Sequence, residues 1–290
     1  MPELPEVETV RSGLSQLLPG LIVRDVSFDT PKSFPNSSGD VKRFLIGAKV
    51  LVVKRRAKVL LIELSSKYSL VIHLKMTGQL VFRGKNERFG AGHPNNSLIG
   101  ELPDESTRVT LDFGASKLYF NDQRKFGWMK LIPTAEVPNI DFMKKLGPEP
   151  LAAEFAAKDF ALRLQRRPNT SVKAALLDQS VIAGVGNIYA DESLWGAKIH
   201  PATRIHNLDD RQTYVLFDEM QYVLKLSIKK GGSTDRNYVD AKGKKGSYMS
   251  FARVFRREGR PCPRCGTIII KARVAGRGTH LCPHCQKAPK

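Results

Sequence analysis

The chain lacks any apolar run of about 18 residues, so no membrane-spanning helix is expected. Its first residues are acidic, with no basic segment leading into an apolar stretch, so no secretory leader is expected either. Cysteine is scarce: four residues in 290, all in two Cys-x-x-Cys pairs. That excludes a disulfide-dense extracellular scaffold and, in an intracellular chain, reads as metal before disulfide. No internal repeat is visible, which excludes a solenoid. Acidic residues are also in short supply, 28 against 47 Lys and Arg, for a net charge of +19.

That excess favours a polyanionic partner. It is concentrated, since residues 221–290 hold 17 Lys/Arg and 3 Asp/Glu. Binding to a membrane surface needs a basic amphipathic helix with a wide apolar face. Residues 231–264 are instead rich in Gly and Ser and interrupted by Pro261. Nucleic acid is the better match.

Val7, Val10, Leu14 and Leu17 recur at helical spacing and predict a helix over 5–18, with Pro5 in its first turn and Gly20 as a stop. Short strand-like runs follow at 21–28, 49–54, 59–64, 70–74, 108–113 and 117–120. Many short strands in about 110 residues predict a β-sandwich or barrel-like sheet pair. Residues 84–106 read as a long surface loop. After Pro133 the pattern turns helical, at 159–165, 171–177, 187–195 and 208–229. The fold class expected is therefore α+β and multidomain. Residues 1–132 form a β-sandwich domain, 133–150 a proline-rich hinge, 151–253 a helical domain and 254–290 a cysteine module. Residues 233–252 read as a loop.

The two ends carry the chemistry. Removal of Met1 leaves Pro2 as a terminal secondary amine beside the Glu3 carboxylate. Such an amine attacks a sugar carbon and forms an iminium without a separate base. At the other end, Cys262-x2-Cys265 and Cys282-x2-Cys285 are separated by 16 residues. Two knuckles of this kind present four thiolates tetrahedrally to one structural Zn²⁺. Lys271, Arg273 and Arg277 lie between them, on an expected β-hairpin facing a phosphate backbone. Between two helical segments, Gly184-Val185-Gly186-Asn187 makes a tight turn into a helix start. That turn suits either phosphate binding or a plain connection capped by Asn187. Arg166, Arg167 and Lys173 nearby favour phosphate.

These segments, with Pro2-Glu3-Leu4-Pro5-Glu6, Arg55-Arg56-Ala57-Lys58, His73-Leu74-Lys75-Met76-Thr77-Gly78, Asp122-Gln123-Arg124-Lys125-Phe126-Gly127 and Leu146-Gly147-Pro148-Glu149-Pro150, occur in one order along nearly the whole chain. The sequence resembles the formamidopyrimidine-DNA glycosylases. The resemblance implies a β-sandwich, a helix-two-turns-helix domain and a zinc finger around damaged duplex DNA. It also implies a bifunctional base-excision enzyme that removes oxidised purines and nicks the strand. Pro2 is then the nucleophile at C1′, Glu3 the acid/base group and Glu6 its support. Lys58 and Arg277 match the lysine and arginine assigned to β- and δ-elimination. Met76, Arg124 and Phe126 match the residues that fill the gap left by a flipped nucleotide. His73, Arg167, Lys173 and Asn187 are expected DNA contacts, and residues 233–252 a cover over the flipped base. The helix start and nearby cations should keep part of the Pro2 amine unprotonated near neutral pH. A cytoplasmic, bacterial-type monomer acting on nucleoid DNA is expected.

Two departures stand out. The 84–106 segment is longer than in compact relatives, with Ser106 where many place a DNA-contacting His, leaving His93 as a candidate replacement. Lys125 stands where a second Arg is common. Two other readings stay open: an endonuclease VIII-like enzyme for oxidised pyrimidines, and a non-catalytic zinc protein that binds DNA.

Overall fold

Leu4, Val7, Val10 and Leu14 fall on one stripe of an N-terminal helix, and all four are fully buried. A computed structural model of the chain describes residues 1–93, 95–233 and 247–289. Most of the expected cover loop at 233–252 thus lies outside the described residues. The chain divides into two compact units, Met1–Lys144 with Lys230–Ser247, and Lys145–Lys229 with Tyr248–Lys290. Among the described residues no helix is long and apolar enough to cross a membrane.

In the first unit, α1 (Leu4–Leu17) precedes, among the described residues, nine strands: β1 (Asp25–Phe28), β2 (Val50–Arg56), β3 (Val59–Leu64), β4 (Tyr68–His73), β5 (Gly78–Arg83), β6 (Arg88–Gly92), β7 (Thr107–Asp112), β8 (Lys117–Asp122) and β9 (Trp128–Pro133). They form two antiparallel sheets, in the orders β1-β7-β8-β5-β6 and β2-β3-β4-β9. Alternating apolar residues of both sheets, such as Leu60, Ile62, Leu80, Phe82, Leu118 and Phe120, meet in one core. That alternation makes each sheet face one-sided and forces the pair to close on itself. Helix α1 packs on β2 and β6. Gly13 permits this, because any side chain there would collide with the Phe89 ring.

The helix and the six strand-like runs lie within a few residues of expectation. The 84–106 segment does not. It contains β6, which pairs with β5, and a helical turn at Asn96–Leu98. Glycines hid the strand. A side chain on Gly90 would crowd Leu98, and Gly92 adopts φ +127 against Gly78. These residues are set by close backbone approach, so the segment scores poorly for β-propensity yet pairs fully.

In the second unit, α2 (Ala157–Gln165), α3 (Val172–Leu177), α4 (Asn187–Gly196) and α5 (Asp210–Lys229) surround a separate core that includes Phe160, Leu176, Tyr189, Leu216 and Met220. The cysteine module adds the hairpin β10 (Ile270–Val274) and β11 (Arg277–Leu281). Ala275 (φ +51) and Gly276 (φ +72) make its two-residue turn, the geometry that matches strand twist. A small apolar cluster of Trp195, Val254, Cys262, Ile269 and Cys282 seats the module on α4.

Candidate active site and nucleic-acid interface

Pro2 is buried at the mouth of α1, and Glu3, only 4% exposed, is the residue that caps the helix. Glu6 reaches back so that its Oε2 accepts the Glu3 N–H at 2.8 Å. Its Oε1 accepts the Ser233 N–H at 2.8 Å. Each carboxylate oxygen thus accepts a backbone N–H, and Glu6 fixes the chain next to Pro2. A second clamp joins α1 to the β2–β3 hairpin: Glu8 accepts from the Arg55 Nε at 2.9 Å, and Arg55 also donates to the Ala57 carbonyl at 2.8 Å.

That hairpin turns through Ala57 (φ +52) and Lys58. Lys58 is 6% exposed, and its positive charge is felt by His73, which ends β4 opposite Val59 of β3. Burial pushes the His73 pKa down to about 3, with Lys75 and Lys58 adding to the shift. The Lys75 N–H donates to His73 Nδ1 at 3.0 Å. The ring is thus neutral at pH 7 with its proton on Nε2, a hydrogen-bond donor without a charge.

Met76, Arg124 and Phe126 project from two neighbouring turns, with Met76 39% and Phe126 44% exposed. Apolar side chains held out in water are the opposite of a core reading. What holds them is Asp122, at 0% exposure. Its Oδ1 accepts from the Thr77 hydroxyl and the Arg124 N–H, and its Oδ2 from the N–H groups of Phe126 (2.8 Å) and Gly127 (2.6 Å). One carboxylate thereby joins the Met76 turn to the Arg124–Phe126 turn. The Arg124 guanidinium lies 4.8 Å from the Phe126 ring centroid and the Lys32 ammonium 5.5 Å from it. Sequence reasoning overlooked Asp122 as an organiser, although the signal was present: an Asp opening a six-residue turn that ends in Gly127.

In the second unit, one expected contact is corrected. Lys173 is fully buried, and its ammonium is held by Asp191 Oδ1 (2.6 Å), Thr279 Oγ1 (2.6 Å) and the Gly278 carbonyl (3.2 Å). An ammonium without solvent access cannot grip a phosphate, so Lys173 anchors the hairpin instead. Asp191 completes the anchor by accepting the His280 N–H at 2.9 Å. Asn187 is the first residue of α4 rather than its cap, which is Gly186. Its side-chain amide donates to the Gly278 carbonyl at 2.9 Å. Asn187 also lines a cleft of about 520 Å³ with Arg256, Arg260, Lys271 and His280. Arg167 is 43% exposed and pairs with Asp178 at 3.0 Å. Arg277 is exposed at the start of β11, beyond the hairpin turn. Ser106 is buried, and its hydroxyl donates to Asp104 at 2.7 Å.

The four thiols converge. Cys262 and Cys285 sulfurs are 4.0 Å apart, Cys265 and Cys282 3.5 Å, and Cys265 and Cys285 3.4 Å, with all four within 4.8 Å of one another. Tetrahedral Zn–S bonds of about 2.3 Å place sulfurs roughly 3.8 Å apart, so the four cysteines fit one zinc ion. The Trp195 indole N–H points at Cys262 Sγ (3.4 Å) and the Cys285 N–H at Cys282 Sγ (3.4 Å), as expected around thiolate ligands. The ion's role here is structural.

Residues 1–129 match the formamidopyrimidine-DNA glycosylase N-terminal domain, 146–238 its H2TH domain, and 259–288 the zinc finger found in FPG and IleRS. The chain is 41% identical over 286 residues to the formamidopyrimidine-DNA glycosylase of Pediococcus pentosaceus, covering 99% of each. It is 43% identical over 290 residues to that of Herpetosiphon aurantiacus, covering 99% of this chain and 100% of that one. Among solved structures, a complex of a Lactococcus lactis FPG mutant with Fapy-dG DNA superposes with TM-score 0.88 at 34% identity. The match covers 99% of this chain and 100% of that one. A MutM complex with carbocyclic 8-oxo-G DNA gives 0.86 at 34%, with the same coverage. The chain belongs to the formamidopyrimidine-DNA glycosylase family.

Proposed function

We propose that the protein excises oxidised purines from duplex DNA and cleaves the resulting abasic strand, using Pro2 as nucleophile. One observation carries this reading: Pro2 and Glu3 are buried together at the start of α1, with Glu6 pinning the backbone beside them. Relatives solved with Fapy-dG and 8-oxo-G DNA support oxidised purines over pyrimidines as the substrate class.

The reaction follows from the groups present. Met1 must be absent, because it makes the Pro2 nitrogen a tertiary amide with no available lone pair. Once terminal, the nitrogen bonds to C1′ as the bond from C1′ to the base breaks, with the electron pair leaving on the base. Glu3 transfers a proton at the opening sugar, giving an iminium. Loss of a C2′ proton then expels the 3′ phosphate, and a second elimination expels the 5′ phosphate. Lys58 and Arg277 serve these steps as proton-transfer or phosphate-binding groups. Met76, Arg124 and Phe126 occupy the space of the everted nucleotide, and neutral His73 donates to the backbone. Asn187 and Arg167 contribute phosphate contacts from the helical unit. The bacterial relatives support a cytoplasmic setting.

Borohydride added during the reaction should cross-link processed protein to 8-oxoguanine DNA through Pro2, located by mass spectrometry. Protein retaining Met1 should give no adduct. A cross-link at any other residue, or an undiminished rate in Pro2→Ala, would overturn the assignment. Binding without any nicking by processed protein would favour the non-catalytic reading.

A further inference from the structure

Strand β7 carries a bulge. Thr107 faces Asn121 and Val109 faces Phe120 of β8, so Arg108 is an extra residue in that ladder. A bulge re-aims a side chain, and bulges gather near functional sites. Here Arg108 points inward and is 6% exposed. Its Nε donates to the Asp122 carbonyl at 2.8 Å, its Nη1 is ion-paired with Asp29, and its Nη2 donates to the Glu105 carbonyl. The Asp29 N–H donates back to the Arg108 carbonyl at 3.1 Å. A guanidinium, with five donors in a flat fork, reaches three such acceptors at once.

Two of these three partners begin the segments that meet at the Phe126 ring. Asp122 ends β8 and opens the turn that carries Arg124 and Phe126. Asp29 follows β1 and opens the loop that carries Lys32. The far end of that loop is tied down separately. The Ser33 carbonyl accepts the Met129 N–H at 2.9 Å, and Asn36 bridges the Met129 carbonyl (3.1 Å) and the Leu131 N–H (2.7 Å). Lys32 is thus held between two fixed points, 5.5 Å from the Phe126 ring centroid, with Arg124 4.8 Å from it. The ring is 44% exposed, so core packing does not fix its direction, whereas cations placed around it do.

We infer that Arg108 is a positioning residue for base excision: from inside the sheet it holds the Lys32 loop and the Arg124 turn at a fixed spacing, and so keeps the Phe126 ring aimed before DNA arrives. This rests on the proposed place of Phe126 in the space of the everted nucleotide. A side chain that enters a base step is best ordered beforehand, because ordering it during eversion adds an entropic cost to that step. Arg108 is buried and acts through Phe126, so its loss lowers the rate of excision more than the grip on the DNA backbone.

The test uses full-length, Met1-processed protein with Arg108→Met and Arg108→Lys, each alone and combined with Phe126→Ala. Single-turnover excision is followed on an 8-oxoguanine duplex, affinity on a duplex with a tetrahydrofuran abasic analogue, and stability by thermal unfolding. R108M should slow excision by about tenfold when Phe126 is present and by less than about twofold in the Phe126→Ala background, the coupling of residues that act through one network. Affinity should fall by less than about twofold, since the phosphate-facing cations stay in place. R108K, which keeps the charge but not the fork, should fall between R108M and the wild type. Asp29→Asn is a milder break at a residue whose side chain is 31% exposed, and should slow excision by about threefold with the same dependence on Phe126. Should R108M melt below the assay temperature, D29N decides by the same comparison. Equal slowing in both backgrounds, or an affinity loss as large as the rate loss, would overturn the inference in favour of general stabilisation. Undiminished excision by Phe126→Ala would sink the Phe126 reading and this inference together. Slow excision by F126A, with Arg108 and Asp29 effects that simply add to it, would sink this inference alone.

Discussion

The Arg124–Phe126 turn of the first unit and the hairpin turn of the second both hold cationic side chains out in water, and they do it by different means. At the first, a single buried carboxylate, Asp122, gathers N–H and O–H groups from this turn and from the Met76 turn. At the hairpin, four thiolates converge on a metal site, and a buried Lys173–Asp191 pair grips Gly278, Thr279 and His280. The first device joins residues 45 positions apart, Thr77 and Asp122, and needs no cofactor. The second bridges residues more than a hundred positions apart, such as Lys173 and Thr279, and needs both a metal and a desolvated charge pair. An exposed side chain is useful for binding only if its backbone is already ordered, and a small hairpin has too little core to order itself.

Stripping zinc, or replacing Cys282 with Ala, should unfold the finger, since structural zinc contributes on the order of 10 kcal/mol to such modules. Circular dichroism and DNA binding should change together while the first unit keeps its melting transition. Next, Lys173→Ala leaves Asp191 buried without its partner, a loss of about 3–5 kcal/mol. If Lys173 were a phosphate ligand instead, the salt slope of binding would fall and stability would hold. Asp122→Ala should cost less, about 1–3 kcal/mol, because some released N–H groups can reach water. Its signature is a loss of excision rate larger than the loss of affinity, read from single-turnover kinetics, since the Met76 and Phe126 turns lose their shared anchor while the exposed cations elsewhere stay in place.

The smallest effect concerns pH. His73 has a folded pKa near 3 against an ordinary value of 6.5. The unfolded chain therefore takes up a proton first as pH falls. The stability associated with the neutral ring is complete above about pH 6.5 and is lost progressively towards pH 3. His73→Gln should flatten denaturant-midpoint curves across that window and leave them little changed at about pH 7.5.

Four cysteines with fixed spacing, a Pro-Glu start and a strongly basic tail were enough to expect the zinc site, the nucleophile and the polyanionic partner. These features are legible because the chemistry lives in residue type and local spacing. The helix and most strands followed from apolar periodicity for the same reason. Strands β5, β6 and β9 were not among the expected runs, and in β6 the reason is that Gly90 and Gly92 answer to backbone neighbours distant in sequence. Lys173 misled because charge reads as exposure until a partner such as Asp191 is known.

Residue type and spacing alone say which groups the chain carries: a proline behind the first methionine, four paired cysteines and an excess of cations. The fold settles which polar groups face water and which are tied inward, as with Glu6, Lys173 and Ser106. Desolvation and hydrogen-bond pairing depend on what lies across the fold, and that neighbour is not written beside the residue.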